Sequence, residues 1–435
     1  MLPAIILFAI TYILMLIFSK YRPWIALSSA IVFIVLGYFG LWEMNIPKAL
    51  TEVDYNVLMM IAGTMGIVTL FIESKMPARL SEMLLCKVPN VKWAVAALSL
   101  FAGVVSAFVD NVATVLMIAP VGLASAKKLK ISPVPMIIAI AVSSNLQGAA
   151  TLVGDTTSIM LAGAADMNFM DFFWMHGKPG IAWGVELGAL ASLLILLVLF
   201  RKDKDKVEAR VETEVTNYFP SFLMIAVVVV MILVSFLPQP EGGFALWAYE
   251  HKNGLVCLAL LAVGLIYTAV HEKSADVVKR VVADLDKDTI ILLFGLFIVI
   301  GGIKAAGVID AIAGLFNSIA GDNPFMLYTL LVFFSVLMSA FVDNIPYVAT
   351  MLPVVTSLSA MMGVEPYVFY FGLLTGATLG GNLTPIGASA NITGIGILRK
   401  NGETVTLKDF LRIGVPFTLS AVLCGYAFLW IFWGV

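Results

Sequence analysis

Ser106-Ala-Phe-Val-Asp-Asn111 recurs letter for letter as Ser339-Ala-Phe-Val-Asp-Asn344, 233 positions later. Each copy ends in an Asp-Asn pair set between apolar arms. A carboxylate beside a carboxamide supplies hard oxygen donors, the kind that suit Na⁺ or hold a transferable proton. An acid at the centre of a bilayer costs roughly 2.5–3.5 kcal/mol on insertion scales. Two identical copies of that cost, with Asp155 as a third, ask for a functional explanation rather than a packing one. The second chemical element is a pair of glycine- and hydroxyl-rich runs. Ser143-Ser144-Asn145-Leu146-Gln147-Gly148 leads into Thr151-Leu152-Val153-Gly154-Asp155-Thr156-Thr157-Ser158, and its partner runs from Thr375 through Asn382, Thr384, Pro385 and Gly387 to Ser389 and Asn391. Glycine permits the backbone to unwind, and Pro385 removes an N–H and disrupts the turn before it. Small polar residues also serve as glue between membrane helices, and that is the ordinary reading of an isolated Ser or Thr. The two clusters taken together read as a binding site.

The elements that must hold these residues follow from composition. Of 435 residues 61% are hydrophobic and only 12% charged, against roughly 25% charged in soluble domains. This excludes a soluble enzyme and a disordered chain. A net charge of −2 without a long basic tract excludes a nucleic-acid binder. Cys86, Cys257 and Cys424 lie far apart, and His176, His251 and His271 stand singly, so neither a disulfide framework nor a zinc site is expected. The expected fold class is an all-α polytopic membrane protein. Full spans fall near 2–19, 22–42, 56–72, 181–200, 220–237, 254–270, 289–303 and 413–433. The Asp-Asn stretches, 92–126 and 324–360, are too short for two spans each and read as re-entrant hairpins. The stretches 134–165 and 367–398 read as broken helices, giving about ten transmembrane helices plus two hairpins. The first segment lacks a basic leader and a cleavage site, so it reads as a retained helix.

The offset of 233 also pairs Pro120 with Pro353, Pro133 with Pro366, Gly148 with Gly381, Thr151 with Thr384 and Gly154 with Gly387, while Gly63 and Gly295 match at 232. The chain therefore divides into a first repeat, 1–200, a charged linker, 201–219, and a second repeat, 220–435. Five crossings per repeat is an odd number, so the second copy enters from the opposite side. Inverted-topology repeats are typical of secondary transporters. The copies differ at one chemical position, where Asp155 aligns with Ala388.

Of the 26 Lys and Arg, 22 fall in loops on one face, and only Lys48, Lys178, Lys252 and Lys304 fall on the other. The positive-inside rule makes the first face cytoplasmic, with both termini outside an inner or plasma membrane. The run Arg201–Asn217 reads as a solvated cytoplasmic linker. Glu186 reads as interfacial, and Lys304 as an anion attractor or a snorkelling side chain.

SAFVDNVATVLMIAP (106–120), GAATLVGDTTSIM (148–160), SAFVDNIPYVATMLP (339–353) and GGNLTPIGASANI (380–392) resemble the ion transporter superfamily. The resemblance is nearest to the branch of arsenite permeases, D-type sodium–proton antiporters and the melanosomal P protein, with citrate-transporter-like domains as relatives. It implies a scaffold and a transport domain in each protomer, a homodimer, and elevator-type movement. In the dicarboxylate branch the hairpin tips carry Ser-Asn-Thr, whereas here they read Asp110-Asn111-Val112 and Asp343-Asn344-Ile345. Two fixed negative charges disfavour a carboxylate cargo unless it is paired with a cation or protonated.

The expected function is secondary active transport coupled to Na⁺ or H⁺, with no other cofactor and no catalytic residues. Sodium–proton antiport leads, followed by arsenite or oxyanion efflux and then Na⁺-coupled di- or tricarboxylate symport. A channel would lack gradient coupling, and a membrane enzyme would need a nucleophile–base pair or metal cluster that the chain does not show. The expected cation and substrate ligands are Asp110, Asn111, Thr114, Asn145, Gly154, Asp155, Thr156, Thr157 and Ser158 in the first half. In the second they are Asp343, Asn344, Thr384, Gly387, Ser389 and Asn391. Asp110, Asn111, Asp155, Asp343 and Asn344 are the expected Na⁺ contacts. The expected partners are a small ion or molecule as cargo, the lipid bilayer, and a second copy of the chain.

Overall fold

The computed structural model describes residues 1–207, 209–215, 217–321 and 323–434. The first half comprises α1 (Leu2–Ile17), α2 (Arg22–Tyr38), α3 (Ile46–Thr51), α4 (Tyr55–Glu73), α5 (Met76–Leu85), α6 (Val91–Ser106), α7 (Asn111–Lys128), α8 (Val134–Gln147), α9 (Thr156–Ala164) and α10 (Ile181–Leu199). The second comprises α11 (Phe219–Ser235), α12 (Gly243–Glu250), α13 (Lys252–Glu272), α14 (Asp276–Asp284), α15 (Lys287–Ala305), α16 (Val308–Ala320), α17 (Pro324–Ser339), α18 (Asn344–Met362), α19 (Tyr367–Leu374), α20 (Ser389–Lys400) and α21 (Leu407–Trp433). A small antiparallel β-hairpin pairs Trp174–Met175 with Lys178–Pro179 before α10.

Helix starts follow the local sequence. Asp54 and Asp286 each accept a backbone N–H three residues on, from Val57 and Thr289, at 3.0 Å. Thr406 and Asp409 close a capping box on α21. Both hairpins form as expected, α6 turning into α7 and α17 into α18, each with an Asp at the helix start. Both broken helices form as well. α8 passes through a short 3-10 turn and an extended stretch into α9, and α19 passes through a π-helical turn, 375–379, and a 3-10 turn into α20.

Seven helices are long and apolar enough to cross a bilayer by themselves: 19–38, α4, α10, α13, α15, α18 and α21. Ten crossings require more than this set, and length explains the difference. α1 and α11, at 16 and 17 residues, reach roughly 24–26 Å at 1.5 Å per residue, the lower limit for a span. Each broken helix spreads one crossing over two half-helices. α18 meets the length criterion although it is a hairpin arm.

The two halves are inverted with respect to each other. α4 and α15 are repeat equivalents, yet Glu73 at the end of α4 pairs with Arg280, just before α15, at 3.0 Å. At the opposite ends, Glu52, just before α4, pairs with Lys304 near the end of α15 at 3.8 Å. The equivalent helices therefore run antiparallel. Lys304 is 63% exposed and engaged with Glu52, an outcome closer to snorkelling than to an anion site.

The halves are also interlocked. α13 packs alongside α4, and α15 alongside α2, at glycines that let backbones touch. A Cβ added to Gly63 would lie 2.6 Å from the Cys257 carbonyl carbon, and one on Gly295 would lie 2.7 Å from that of Ala26. Small residues at such seams replace the hydrophobic drive that lipid removes.

The linker is exposed over most of its described residues, yet it is also tied to the first half. Val91 and Lys92 donate backbone N–H groups to the carbonyls of Asp205 and Asp203 at 3.0 and 2.9 Å. The Glu82 carboxylate of α5 accepts the N–H groups of Glu212 and Thr213 and the Thr213 hydroxyl, all at 2.8 Å. Lys128 at the foot of α7 holds Glu212 at 2.7 Å. Charged residues here find partners at the base of the first hairpin, so the segment lies docked as a strap. Glu208 and Thr216 of the strap lie outside the described residues, as does Val435 of the second repeat.

Glu82→Ala removes three hydrogen bonds that anchor the strap. Limited trypsin digestion of the detergent-solubilised protein should then cut at Arg210 several-fold faster than in the parent chain; equal rates would mean that the strap is held by other contacts.

Candidate functional site

The polar residues of the broken helices sit where lipid cannot reach them. Every residue from Met136 to Ala162 is buried. This enclosure makes the break tolerable, since backbone leaving a helix at membrane depth must be satisfied by protein or water. In the second half Thr384 and Pro385 are half-buried and Ile386 is exposed, so the equivalent stretch is less enclosed.

Each hairpin tip is docked on its broken helix by the same bonds. The Thr151 hydroxyl donates to the Ala107 carbonyl, and the Thr384 hydroxyl donates to the Ala340 carbonyl. A Cβ on Gly154 would stand 2.6, 2.7 and 2.8 Å from the carbonyl oxygens of Gly148, Ala107 and Ser106. One on Gly387 would stand 2.6, 2.6 and 2.9 Å from those of Gly381, Ser339 and Ala340. Three carbonyls converge on each glycine, and only the missing side chain allows it.

The acids cap the hairpin helices. Asp110 Oδ1 accepts the N–H groups of Val112 and Ala113 at 2.9 and 3.1 Å. Asp343 Oδ1 accepts that of Ile345 at 3.2 Å, while its Oδ2 accepts from Ser389 Oγ and Arg22 Nη1, both at 3.1 Å. Capping is an ordinary role for Asp, but it occupies one oxygen only. Asp155 stands at the N-cap position of α9 without making a cap bond, and its Oδ2 accepts from the Thr157 hydroxyl at 2.7 Å.

The amides tie the halves together. Asn145 Nδ2 donates to the Thr378 carbonyl at 2.7 Å and to Asn382 Oδ1 at 3.1 Å, and its Oδ1 accepts from Asn111 Nδ2 at 3.0 Å. Asn382 Nδ2 returns a bond to the Val142 carbonyl at 2.8 Å, and the Thr157 and Thr378 hydroxyls lie 3.1 Å apart. The Asn344 amide faces acceptors, so its nitrogen satisfies the Gly387 and Ala377 carbonyls at 3.3 and 3.2 Å.

A cavity of about 500 Å³ opens between α4, α7, α9 and the start of α15, and it is lined by Glu73, Asp110, Asp155, Asp284 and Asp286 with no Lys or Arg. A smaller recess of about 60 Å³ adjoins it, lined by Asp110, Asn111, Asp155, Thr156, Asp286, Thr289, Asp343, Asn344 and Ser389. Both hairpin tips therefore meet at one place. Gly154 lines the larger cavity.

The remaining expected ligands make hydrogen bonds to backbone carbonyls. Thr114 is buried with its hydroxyl 3.5 Å from the Val109 carbonyl, and Ser158 donates to the Gly148 carbonyl at 3.3 Å. Asn391 donates to the Gly381 and Thr384 carbonyls at 3.1 and 3.2 Å, leaving a buried Oδ1 without a partner. Among the described residues no group of three or more His, Cys, Asp or Glu side chains is gathered closely enough to hold a metal ion. A Na⁺ ion at a tip would rest on carbonyl, amide and hydroxyl oxygens around one acid, a donor set that fits a hard monovalent cation. Glu186 is half-buried and accepts from Gln147 Nε2 at 2.9 Å, which places it beside the helix break.

Two site residues escaped sequence reasoning. Asp286 carries a signal, since Asp54 and Asp286 match at the same 232 offset as Gly63 and Gly295. Arg22 carries none: it looks like one more basic loop residue, yet its guanidinium reaches the tip of the second hairpin.

Two inverted halves, each with a docked hairpin and a broken helix around a shared polar cavity, define a membrane transporter. The chain belongs to the citrate transporter family, whose model matches residues 12–371 and again 244–434. An uncharacterized transporter of Mycobacterium tuberculosis is 33% identical over 332 residues, covering 75% of this chain and 74% of its own. A second from the same organism is 29% identical over 448 residues, covering 98% and 97%. The P protein of Mus musculus is 25% identical over 446 residues, covering 87% of this chain and 54% of its own. The crystal structure of the YdaH transporter of Alcanivorax borkumensis superposes with a TM-score of 0.62 at 13% identity, over 96% of this chain and 98% of that one, and shares the fold.

Gly154→Ala would drive a methyl group into three backbone carbonyls that have no rotamer to escape through. We expect a loss of roughly 1–3 kcal/mol, read as a lower melting temperature. Gly396→Ala, where a Cβ meets nothing within 4 Å, serves as the neutral control. Equal melting temperatures for the two variants would show that the tip is not packed as described.

Proposed function

We propose that this transporter is a secondary active carrier that exchanges Na⁺ for H⁺. The observation that carries the reading is the acidic cavity, where Asp110, Asp155 and Asp286 meet without a lining Lys or Arg. Such a cavity attracts cations and repels free carboxylate anions. Asp110, with Asn111 and the carbonyls around Gly154, forms the cation site, and Asp155 with Thr156 and Thr157 completes it. Na⁺ and H⁺ compete there for the same oxygens, which is the physical requirement for exchange. In the second half Asp343, Asn344, Ser389 and the carbonyls around Gly387 form the counterpart.

The interlocked helices α2, α4, α13 and α15 act as scaffold. The hairpins and broken helices, cross-linked through Asn145 and Asn382, move as one body in an elevator-type cycle. The protein functions as a homodimer in the inner or plasma membrane. The basic loops and the strap are cytoplasmic, both termini lie outside, and the acidic cavity faces the cytoplasm.

The family description favours a second reading, Na⁺-coupled citrate-like symport. The starts of α9 and α20 meet the site without side-chain caps, and helix N-termini favour anions. A carboxylate cargo would then need a cation partner to offset Asp110 and Asp155. Arsenite or oxyanion efflux has no such observation in its favour.

Reconstituted proteoliposomes with an internal pH dye separate the two readings. An imposed Na⁺ gradient should move protons in the opposite direction, and Asp110→Asn or Asp155→Asn should reduce that flux at least tenfold. Proton movement that is absent, or that needs citrate, would contradict antiport.

A further inference from the structure

The repeat equivalence of Asp110 and Asp343 makes their difference measurable. Both commit Oδ1 to the helix they cap. The second oxygen of Asp343 is taken by Arg22 Nη1 and Ser389 Oγ, each at 3.1 Å. Neither Asp110 nor Asp155 makes an ion pair among the described residues. The second half also lacks the extra acid, with Ala388 in place of Asp155. The first half thus presents two carboxylates without a counter-charge, and the second presents one carboxylate already neutralised.

Arg22 is a built part of this arrangement. Its Nε donates to the Met15 carbonyl at 3.2 Å, and only 19% of the side chain is exposed, against 10% for Asp343. An exposed ion pair adds little, but a pair this enclosed leaves an uncompensated charge when one partner is lost. The choice of arginine matters, because a guanidinium does not deprotonate in proteins and keeps its charge at every working pH. A lysine in the same place would be able to shed its proton and yield to Na⁺.

We infer that Arg22 is a tethered cation filling, in the second half, the place that a mobile cation takes in the first, so that each chain has one exchangeable cation site rather than two. The inference rests on the cation reading of the first half. Arg22 is also a positioning residue. Because α2 is packed against α15, the pair ties the second hairpin tip to the interlocked helices, alongside the Tyr12 hydroxyl of α1, which donates to the Pro346 carbonyl.

Radiolabelled Na⁺ bound per chain, measured by equilibrium dialysis of the purified full-length protein, tests this. The parent chain should bind one Na⁺, and Asp110→Asn none. Arg22→Gln should bind one more than the parent, and Arg22→Gln with Asp343→Asn should lose that extra ion. An Arg22→Gln chain that binds no more Na⁺ than the parent overturns the inference. A parent whose bound Na⁺ survives Asp110→Asn overturns the reading of the first half instead, so the two failures are distinguishable. Where Arg22→Gln does not fold, crystals of the parent soaked in Tl⁺ give the answer from anomalous scattering. A peak beside Asp110 and Asp155 with none at Asp343 supports the tethered cation, and a peak at Asp343 overturns it.

Discussion

Backbone that leaves the helix inside a bilayer must find its hydrogen-bond partners in protein or water rather than lipid, and the architecture here follows from that requirement. Glycine and hydroxyl residues create the breaks at 148–155 and 380–388, and each is docked against a hairpin, the first fully buried and the second less enclosed. Thr151 and Thr384 each anchor a tip by one bond to a hairpin carbonyl. The same hairpin carbonyls, with those of neighbouring residues, crowd against Gly154 and Gly387. A structural necessity thereby brings backbone oxygens close to each tip, and the Asp-Asn pairs bring charge beside them.

Inversion makes two such pockets face each other, and the amides of Asn145 and Asn382 lock the two breaks into one body. The tips do not remain equivalent once they meet. Asp155 adds charge on one side, while Arg22 cancels it on the other. Duplication supplies the geometry, and a handful of single-residue differences then makes the two tips electrostatically unlike. The acidic cavity opens beside the half that keeps its charge.

Much of this was legible before any coordinates. The hairpins, the breaks and the inverted halves follow from a gapless repeat of Asp-Asn, Gly and Pro positions, because in a membrane such residues have few tolerable places. The equivalence of Asp110 and Asp343 followed from the same alignment. The failures have a common physical cause. Arg22 and Asp286 are charged residues near helix ends, where sequence alone reads a solvated charge as the default. Whether such a group faces water or a buried partner depends on which helix lies beside it, and α2 meets the second hairpin from more than 300 residues away. Thr114, Ser158 and Asn391 reach backbone carbonyls in the structure, contacts that sequence alone does not show. Ten spans were inferred from apolar runs, whereas seven helices meet the length criterion alone, because broken and short helices share crossings.

The central claim is that Na⁺ and H⁺ contend for carboxylates buried around one cavity. Its most direct test is the Na⁺ dependence of thermal stability, measured on the purified protein at several pH values. A cation that binds only the folded state raises its melting temperature. Competition with protons then requires Na⁺-dependent stabilisation whose half-saturating concentration rises as the pH falls. A melting temperature indifferent to Na⁺, or a half-saturating concentration unchanged with pH, would contradict it.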